Sequence, residues 1–327
     1  MQSPLTLRHV RIVTTVLVIF LISMIIFQGQ NLSSKSPHYA FATLLAGPVS
    51  DKNMSEPYFV AARMLTYQLL HAKKSRSRKA IPFLIAVLPD FLQEKRERLV
   101  HDGATVVQVE PLERDWIIPD EIRWRHEMAK LRFWQMTTYD KICFLDADTI
   151  LTAPLDGIFD EKETDSVPSL GHTHAIRDDE APLPASYGFA GITQTWVEHD
   201  FPPTEADFED PGVMNAGFFI LKPSQDLFQY YLSILDIPGR FPAALPEQGL
   251  LNYAHRQDGN MPWRRLNTSW NVMAPTRRDY LSGARTLHDK WWAPRNMDVS
   301  PLFGSIRWQM EGYFERMDET LGERVPQ

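Results

Sequence analysis

Two aspartates one residue apart, Asp146 and Asp148, end the apolar run in ICFLDADTIL, Ile142–Leu151. Ile142, Phe144 and Leu145 read as a buried strand, so these carboxylates are the first polar groups to emerge where the strand stops. Held that close, they repel each other and resist desolvation unless a cation lies between them. Oxygen ligands on a short tether suit a hard divalent ion such as Mg2+ or Mn2+, which leaves coordination sites open to phosphate oxygens. The pair therefore points to the chemistry of a nucleotide diphosphate.

The elements that must position this pair follow from the hydrophobic pattern. Strands are expected at Tyr39–Leu45, Pro82–Leu88, Thr105–Val109 and Gly217–Leu221. Helices are expected at Tyr58–Leu70, Phe91–Val100, Leu227–Leu235 and Gln248–His255. Trp124, Met128, Leu131 and Trp134 mark one face of a further helix that leads into the Asp146 strand. Strands alternating with helices predict an α/β fold, a mixed and mostly parallel sheet flanked by helices. Ligands of such sheets bind beyond the carboxyl ends of the strands, where Asp146 and Asp148 fall. Between Pro154 and Pro211 the pattern breaks down, and a long connection that shapes an acceptor surface is expected. From Ile306 the apolar residues Met310, Tyr313, Met317 and Leu321 recur at helical spacing, an amphipathic C-terminal helix.

With 327 residues, 44% of them hydrophobic, the chain can build a substantial core. A net charge of −7 argues against a nucleic-acid surface, and neither a P-loop nor a Rossmann glycine fingerprint is present. Near the N-terminus Ile12–Phe27 is apolar and uncharged, and Arg8, His9 and Arg11 precede it. At about 1.5 Å per residue it spans roughly 24 Å, enough for a thin internal membrane. A cytosolic tail at 1–11, an anchor at 12–27, a stem at 28–38, a catalytic domain at 39–300 and the final helix at 301–327 are the expected divisions. Charge before the span predicts a single-pass type II protein of the Golgi with its catalytic domain in the lumen. Sequons at Asn31, Asn53 and Asn267 lie on that side. Cys143, the single cysteine, allows no internal disulfide and reads as a small buried apolar residue.

Met128–Phe159, MAKLRFWQMTTYDKICFLDADTILTAPLDGIF, resembles the core of the family-8 glycosyltransferases, the glycogenin-like retaining enzymes. Further blocks fall in that family's order: FATLL at Phe41–Leu45, FEDPGVMNAGFFILKPS at Phe208–Ser224, PEQGLLN at Pro246–Asn252 and TLHDKWW at Thr286–Trp292. The resemblance covers roughly residues 39–295. It implies a GT-A-type nucleotide-sugar transferase fold, a UDP-sugar donor, a carbohydrate acceptor and Mn2+, with Mg2+ the second candidate. Asp146 and Asp148 would hold the metal, with His288 as an imidazole ligand; a mixed oxygen and nitrogen set favours Mn2+. Lys130 would meet the donor phosphates, joined by Lys290, although HDKWW departs from the family's more usual H-x-x-G-x-x-K-P-W. Asn215, Ala216 and Gly217 would lie beside the donor sugar. Glu247 and Gln248 would take part in the chemistry, Glu247 standing where the family usually has aspartate. Thr43, Leu44 and Tyr58 would form the uracil pocket.

Two other functions compete with this reading. A haloacid-dehalogenase-like phosphatase also places D-x-D after a strand, but wants D-x-D-x-T on the first strand; here the threonine is Thr149 and the strand is about the fourth. A catalytically inactive luminal binding or scaffold protein on the same fold would lack metal-dependent activity.

Overall fold

The computed structural model describes residues 38–46 and 53–322. The expected tail, anchor and most of the stem lie outside the described residues, within which no helix is long and apolar enough to cross a membrane.

The strands are, in chain order, β1 (Tyr39–Leu45), β2 (Phe83–Val87), β3 (Thr105–Gln108), β4 (Lys141–Leu145), β5 (Thr149–Leu151), β6 (Val167–Pro168), β7 (Ser186–Tyr187), β8 (Phe189–Thr193), β9 (Met214–Leu221), β10 (Arg264–Arg265), β11 (Val272–Met273) and β12 (Thr286–His288). The α-helices are α1 (Pro57–Leu70), α2 (Gln93–His101), α3 (Gln225–Leu235), α4 (Pro246–Ala254), α5 (Arg277–Ser282) and α6 (Ser300–Leu321). Seven strands form the main sheet in the order β10-β8-β9-β4-β1-β2-β3. β1 pairs in parallel with β2 and β4, and β2 with β3; β9 runs antiparallel between β4 and β8. This is the mixed, mostly parallel sheet with flanking helices that the alternating pattern predicts.

Alternation along β1 divides the interior. Ala40, Ala42 and Leu44 enter a core with Met128, Leu131 and Trp134, whereas Phe41 and Leu45 enter another with Phe59 and Leu65 of α1. Covered on both faces, the strand can be apolar throughout. Helix α1 is itself sandwiched. Its Val60 and Met64 point away from the sheet into a third core with Ile150, Leu287 and Phe303, Met310 and Phe314 of α6.

Three elements differ from the sequence expectation. The Trp124–Trp134 helix is two 3-10 segments, Ile122–Trp124 and Glu127–Gln135. Met128, Leu131 and Trp134 are spaced by threes, which aligns them on a helix of three residues per turn. The Pro154–Pro211 stretch contributes a fully buried sheet strand, β8, whose FAGIT is too rich in small residues to read as an apolar run. β9 begins at Met214 rather than Gly217, so Asn215 and Ala216 lie inside it.

The C-terminal helix is fastened by a buried ionic chain. Asp102, fully buried, accepts from Arg63 Nε at 2.6 Å and Arg98 Nε at 2.8 Å, and Arg98 Nη1 reaches Asp318 of α6 at 2.7 Å. Truncation of Asp102 to alanine leaves the guanidinium of Arg98 buried with a lost partner and should cost about 3–5 kcal/mol. Urea denaturation of Asp102→Ala is expected to show a lower midpoint at unchanged slope, and a loss below about 1 kcal/mol would mean that these ions are effectively solvated.

Candidate active site

The site is built where β4 ends. Asp146 follows β4 directly, and its N–H donates to Gly217 O at 2.8 Å, one more rung on the β4–β9 ladder. Asp146, Ala147 and Asp148 form the turn into β5. β5 pairs antiparallel with β12, His288 facing Thr149, and this register brings the imidazole to the aspartates across about 140 residues of chain. His288 Nε2 lies 3.3 Å from Asp148 Oδ1 and 3.7 Å from Asp146 Oδ2. One ligand atom from each of the three residues lies within 4.8 Å of the others, the layout of a candidate metal centre.

Electrostatics favour a cation here. Glu127, Asp146 and Glu247 converge on Lys130, with Asp148 beside His288, so four carboxylates face one ammonium and one imidazole. A divalent ion offsets that excess of negative charge, and its oxygen and nitrogen donors fit Mn2+. In the apo arrangement the groups compensate one another. Burial disfavours the imidazolium of His288, but the hydrogen bond and charge of Asp148 and the charge of Asp146 outweigh it and raise its pKa. Burial also opposes the charge of Asp148, yet His288, a backbone N–H and the charge of Lys290 hold its pKa below the ordinary value.

Gly217 is required by close approach. A Cβ there would sit 2.2 Å from His288 Cε1 and 2.7 Å from Asp146 Oδ2, inside the candidate centre. The strand backbone thus forms one wall of the site.

Lys130 is placed differently from a lysine waiting for phosphate. Its Nζ is 2.9 Å from Asp146 Oδ1, 3.0 Å from Glu127 Oε2 and 2.9 Å from Glu247 Oε1, and its side chain is 4% exposed. Three ammonium hydrogens meet three carboxylates, so a phosphate contact requires one of them to give way. Burial pulls the Lys130 pKa down, but the charges of Asp146, Glu127 and Glu247 dominate and hold it well above the ordinary value. Burial pushes Glu127 up to about 7 despite the lysine. Glu127 was not legible as a site residue. Its spacing of three from Lys130 is the available signal, because a 3-10 segment aligns i with i+3.

Glu247 and Gln248 also have protein partners. Glu247 is buried against Lys130, while Gln248 Oε1 accepts from Ala216 N at 2.9 Å and Asn215 Nδ2 at 3.3 Å. One turn later Asn252, unassigned by the sequence reading, brackets Met214: its Oδ1 accepts from Met214 N and its Nδ2 donates to Met214 O, both at 2.8 Å. Gln248 and Asn252 thus close the edge of β9 that extends past β4. Asn215 is fixed too, its Nδ2 donating to Gln194 Oε1 at 3.2 Å and its Oδ1 accepting from Gly217 N at 2.9 Å.

The uracil-pocket residues are less unified. Thr43 is fully buried, its Oγ1 having no hydrogen-bond partner among the described residues, and Leu44 faces the opposite side of β1. Tyr58 does approach the metal side. Glu56 caps α1 by accepting from Tyr58 N and Phe59 N, Trp292 stands edge-on to the Tyr58 ring at 4.8 Å, and Trp291 Nε1 donates to Pro57 O. Burial and the charge of Asp148 push the Tyr58 hydroxyl up to about 12, with Arg123 Nη1 donating to it at 3.2 Å. Lys290 is half-buried and close enough to influence Asp148 electrostatically.

Comparison with known proteins gives this geometry a context. Residues 54–290 match the model of the family described as Glycosyl transferase family 8. The chain is 28% identical over 298 residues to an uncharacterized protein of Schizosaccharomyces pombe, covering 81% of this chain and 76% of that one. It is 26% identical over 314 residues to galactinol synthase 2 of Solanum lycopersicum, covering 89% and 77%. Among solved structures, the galactosyltransferase LgtC in complex with donor and acceptor sugar analogs aligns over 83% of this chain and 95% of that one, at 11% identity and a TM-score of 0.49.

Substitution of Gly217 by alanine tests the geometry directly. Gly217→Ala should weaken Mn2+ binding by about 10–100-fold, the range for groups that orient metal ligands, and overpacking of this buried position should lower stability by about 1–3 kcal/mol. Calorimetric titration with Mn2+ reads this, and wild-type affinity in the variant would show that the ion does not sit against β9.

Proposed function

The chain belongs to glycosyl transferase family 8, and we propose that it transfers a sugar from a UDP-sugar to a carbohydrate-type acceptor with retention of anomeric configuration, dependent on Mn2+. The observation that carries this reading is the convergence of Asp146, Asp148 and His288 where β4 ends. The similarity to galactinol synthases supports sugar transfer as the reaction class.

When bound, the metal supplies Lewis-acid stabilisation to the departing diphosphate. Asp146, Asp148 and His288 would hold it, while Lys130 keeps Asp146 Oδ1 in place. As the bond from the anomeric carbon to UDP breaks, the acceptor oxygen forms its bond on the same face. The acceptor proton passes to the β-phosphate oxygen of the leaving UDP. This route needs no protein nucleophile. Glu247, the nearest candidate by sequence, is engaged by Lys130. The amide left to meet a sugar hydroxyl is Gln248 Nε2, which makes no hydrogen bond among the described residues. The apolar segment at 12–27 with its preceding positive charge supports placement as a type II protein of the Golgi membrane, its site in the lumen.

The decisive assay is UDP release from a panel of UDP-sugars with and without Mn2+. Metal-dependent release is expected with at least one donor, and its absence across the panel would favour a scaffold role. Asp148→Asn keeps the shape, spares the contacts of Lys130 and removes a ligand charge; it should lower turnover by about 100-fold or more while the protein stays folded.

A further inference from the structure

A buried titratable pair outside the candidate metal centre takes no part in the proposed transfer. His199 lies on the segment between β8 and β9, and its side chain is fully buried. Its Nδ1 stands 2.9 Å from Trp196 O and its Nε2 3.4 Å from Asp279 Oδ2 of α5. Both ring nitrogens therefore face oxygen acceptors. A neutral imidazole has a single N–H and would aim a lone pair at one of these oxygens; only the imidazolium donates both ways. Asp279 is not free to turn aside. Its Oδ2 also accepts from Thr276 N at 2.6 Å and Thr276 Oγ1 at 2.8 Å, the contacts that cap α5, and the residue is 1% exposed. Burial works against the imidazolium, but the hydrogen bond and charge of Asp279 outweigh it and raise the His199 pKa. Burial opposes the charge of Asp279 as well, yet His199 and Thr276 hold its pKa below the ordinary value.

The other charged groups around the pair are engaged elsewhere. Asp207, which also feels the His199 charge, accepts from Asp200 N and from Thr204. Asp200 pairs with Arg278 of α5 at 2.8 Å, Glu205 with Arg265 of β10, and Asp298 accepts from Arg277 N. Glu198 is exposed. Asp279 is thus the carboxylate that answers His199.

What the pair seats leads to the candidate site. Trp196, whose carbonyl faces His199, donates its N–H to Asp207 O at 2.9 Å, and Thr195 bridges Phe208 in antiparallel fashion. The next rung runs from Glu209 N to Gln194 O at 3.1 Å. Gln194 Nε2 donates to Glu209 Oε2, and Gln194 Oε1 accepts from Asn215 Nδ2 at 3.2 Å. Asn215 in turn accepts from Gly217 N, on the wall of the metal centre.

Resting on the glycosyltransferase reading for the part played by Asn215, we propose that His199 is a protonation-dependent positioning residue. As an imidazolium paired with Asp279, it seats the 194–209 segment on α5 and so fixes the Gln194 amide that orients Asn215. Loss of its proton turns a lone pair toward a buried oxygen, and the segment loosens. Because folding holds His199 charged above its ordinary range, the stabilisation is complete below the ordinary histidine value and is lost as pH rises through the folded-state value. Asp279 withdraws its share only in acid, as pH falls through its depressed value.

The test is NMR on the full chain in detergent, labelled with 15N-histidine and 15N-asparagine and titrated between about pH 5 and pH 9. The His199 ring signals are identified by their loss in His199→Gln, and the Asn215 side-chain amide by its loss in Asn215→Asp. Two protonated ring nitrogens are expected at neutral pH, with a midpoint above the ordinary value of about 6.5. Asp279→Asn keeps an oxygen for the α5 cap and should move that midpoint down by about 1–3 pH units. The Asn215 amide should move with the His199 midpoint in the wild type and lose that movement in Asp279→Asn. A neutral His199 ring at pH 7, an unchanged midpoint in Asp279→Asn, or an Asn215 amide indifferent to the His199 titration overturns the proposal. Failure of the underlying reading looks different: the resonances then behave as expected, but the wild type releases no UDP from any donor at any pH.

Discussion

A buried ammonium holds this site together. Taking Lys130 out of water costs several kcal/mol, and hydrogen bonds with three carboxylates offset that cost. The carboxylates come from separate parts of the fold: Glu127 from the 3-10 segment before β4, Asp146 from the β4–β5 turn and Glu247 from the first turn of α4. Without the lysine, their mutual repulsion would push these elements apart; with it, they are drawn to one point. Asp146 is the shared member. One of its oxygens faces the lysine and the other faces His288, so the ammonium that binds the elements also orients the candidate metal ligand.

β9 is the second constraint, and its outer end needs help. Past Phe218 its β4 edge has only the bond from Asp146 N to Gly217 O. Gln248 and Asn252, one turn apart on α4, take over where the ladder stops. Gly249 lets the preceding loop fold back against α4: a Cβ there would meet Pro242 O at 2.0 Å. The same helix therefore anchors the strand through amides and the lysine through Glu247. The Asn215–Gly217 segment and the candidate metal centre cannot shift independently.

The sequence exposes those parts of this arrangement that rest on local pattern. Strands covered on both faces are continuous apolar runs, and β1, β2 and β4 are legible for that reason. The Asp146–Asp148 pair is legible because two carboxylates closing such a run repel each other at a cost that a bound cation removes. His288 came within reach only through resemblance, since the β5–β12 register that delivers it is a long-range fact. β8 was missed because its FAGIT is short and rich in small residues, and its neighbours in the sheet come later in the chain. Glu127, Gln194 and Asn252 were missed for a related reason: each acts on a partner distant in sequence, or on a backbone group whose need for a partner appears only once the ladder is drawn.

Position 247 shows how one methylene divides roles between neighbouring residues. The family pattern usually has aspartate there, whereas this chain has glutamate, and its carboxylate meets Lys130 at 2.9 Å. An aspartate on the same backbone would fall about 1.5 Å short, beyond hydrogen-bond reach. The lysine would then keep only Glu127 and Asp146, and the shorter carboxylate would be left without its ammonium. Glutamate does the reverse. It commits the acid to the ammonium, strengthened by the N-terminal dipole of α4. Beside it Gln248 uses only its Oε1, which accepts from Asn215 Nδ2 and Ala216 N, and its Nε2 makes no hydrogen bond among the described residues. A neutral amide cluster around Asn215 beside a strongly charged cluster around Lys130 is the division that this residue produces.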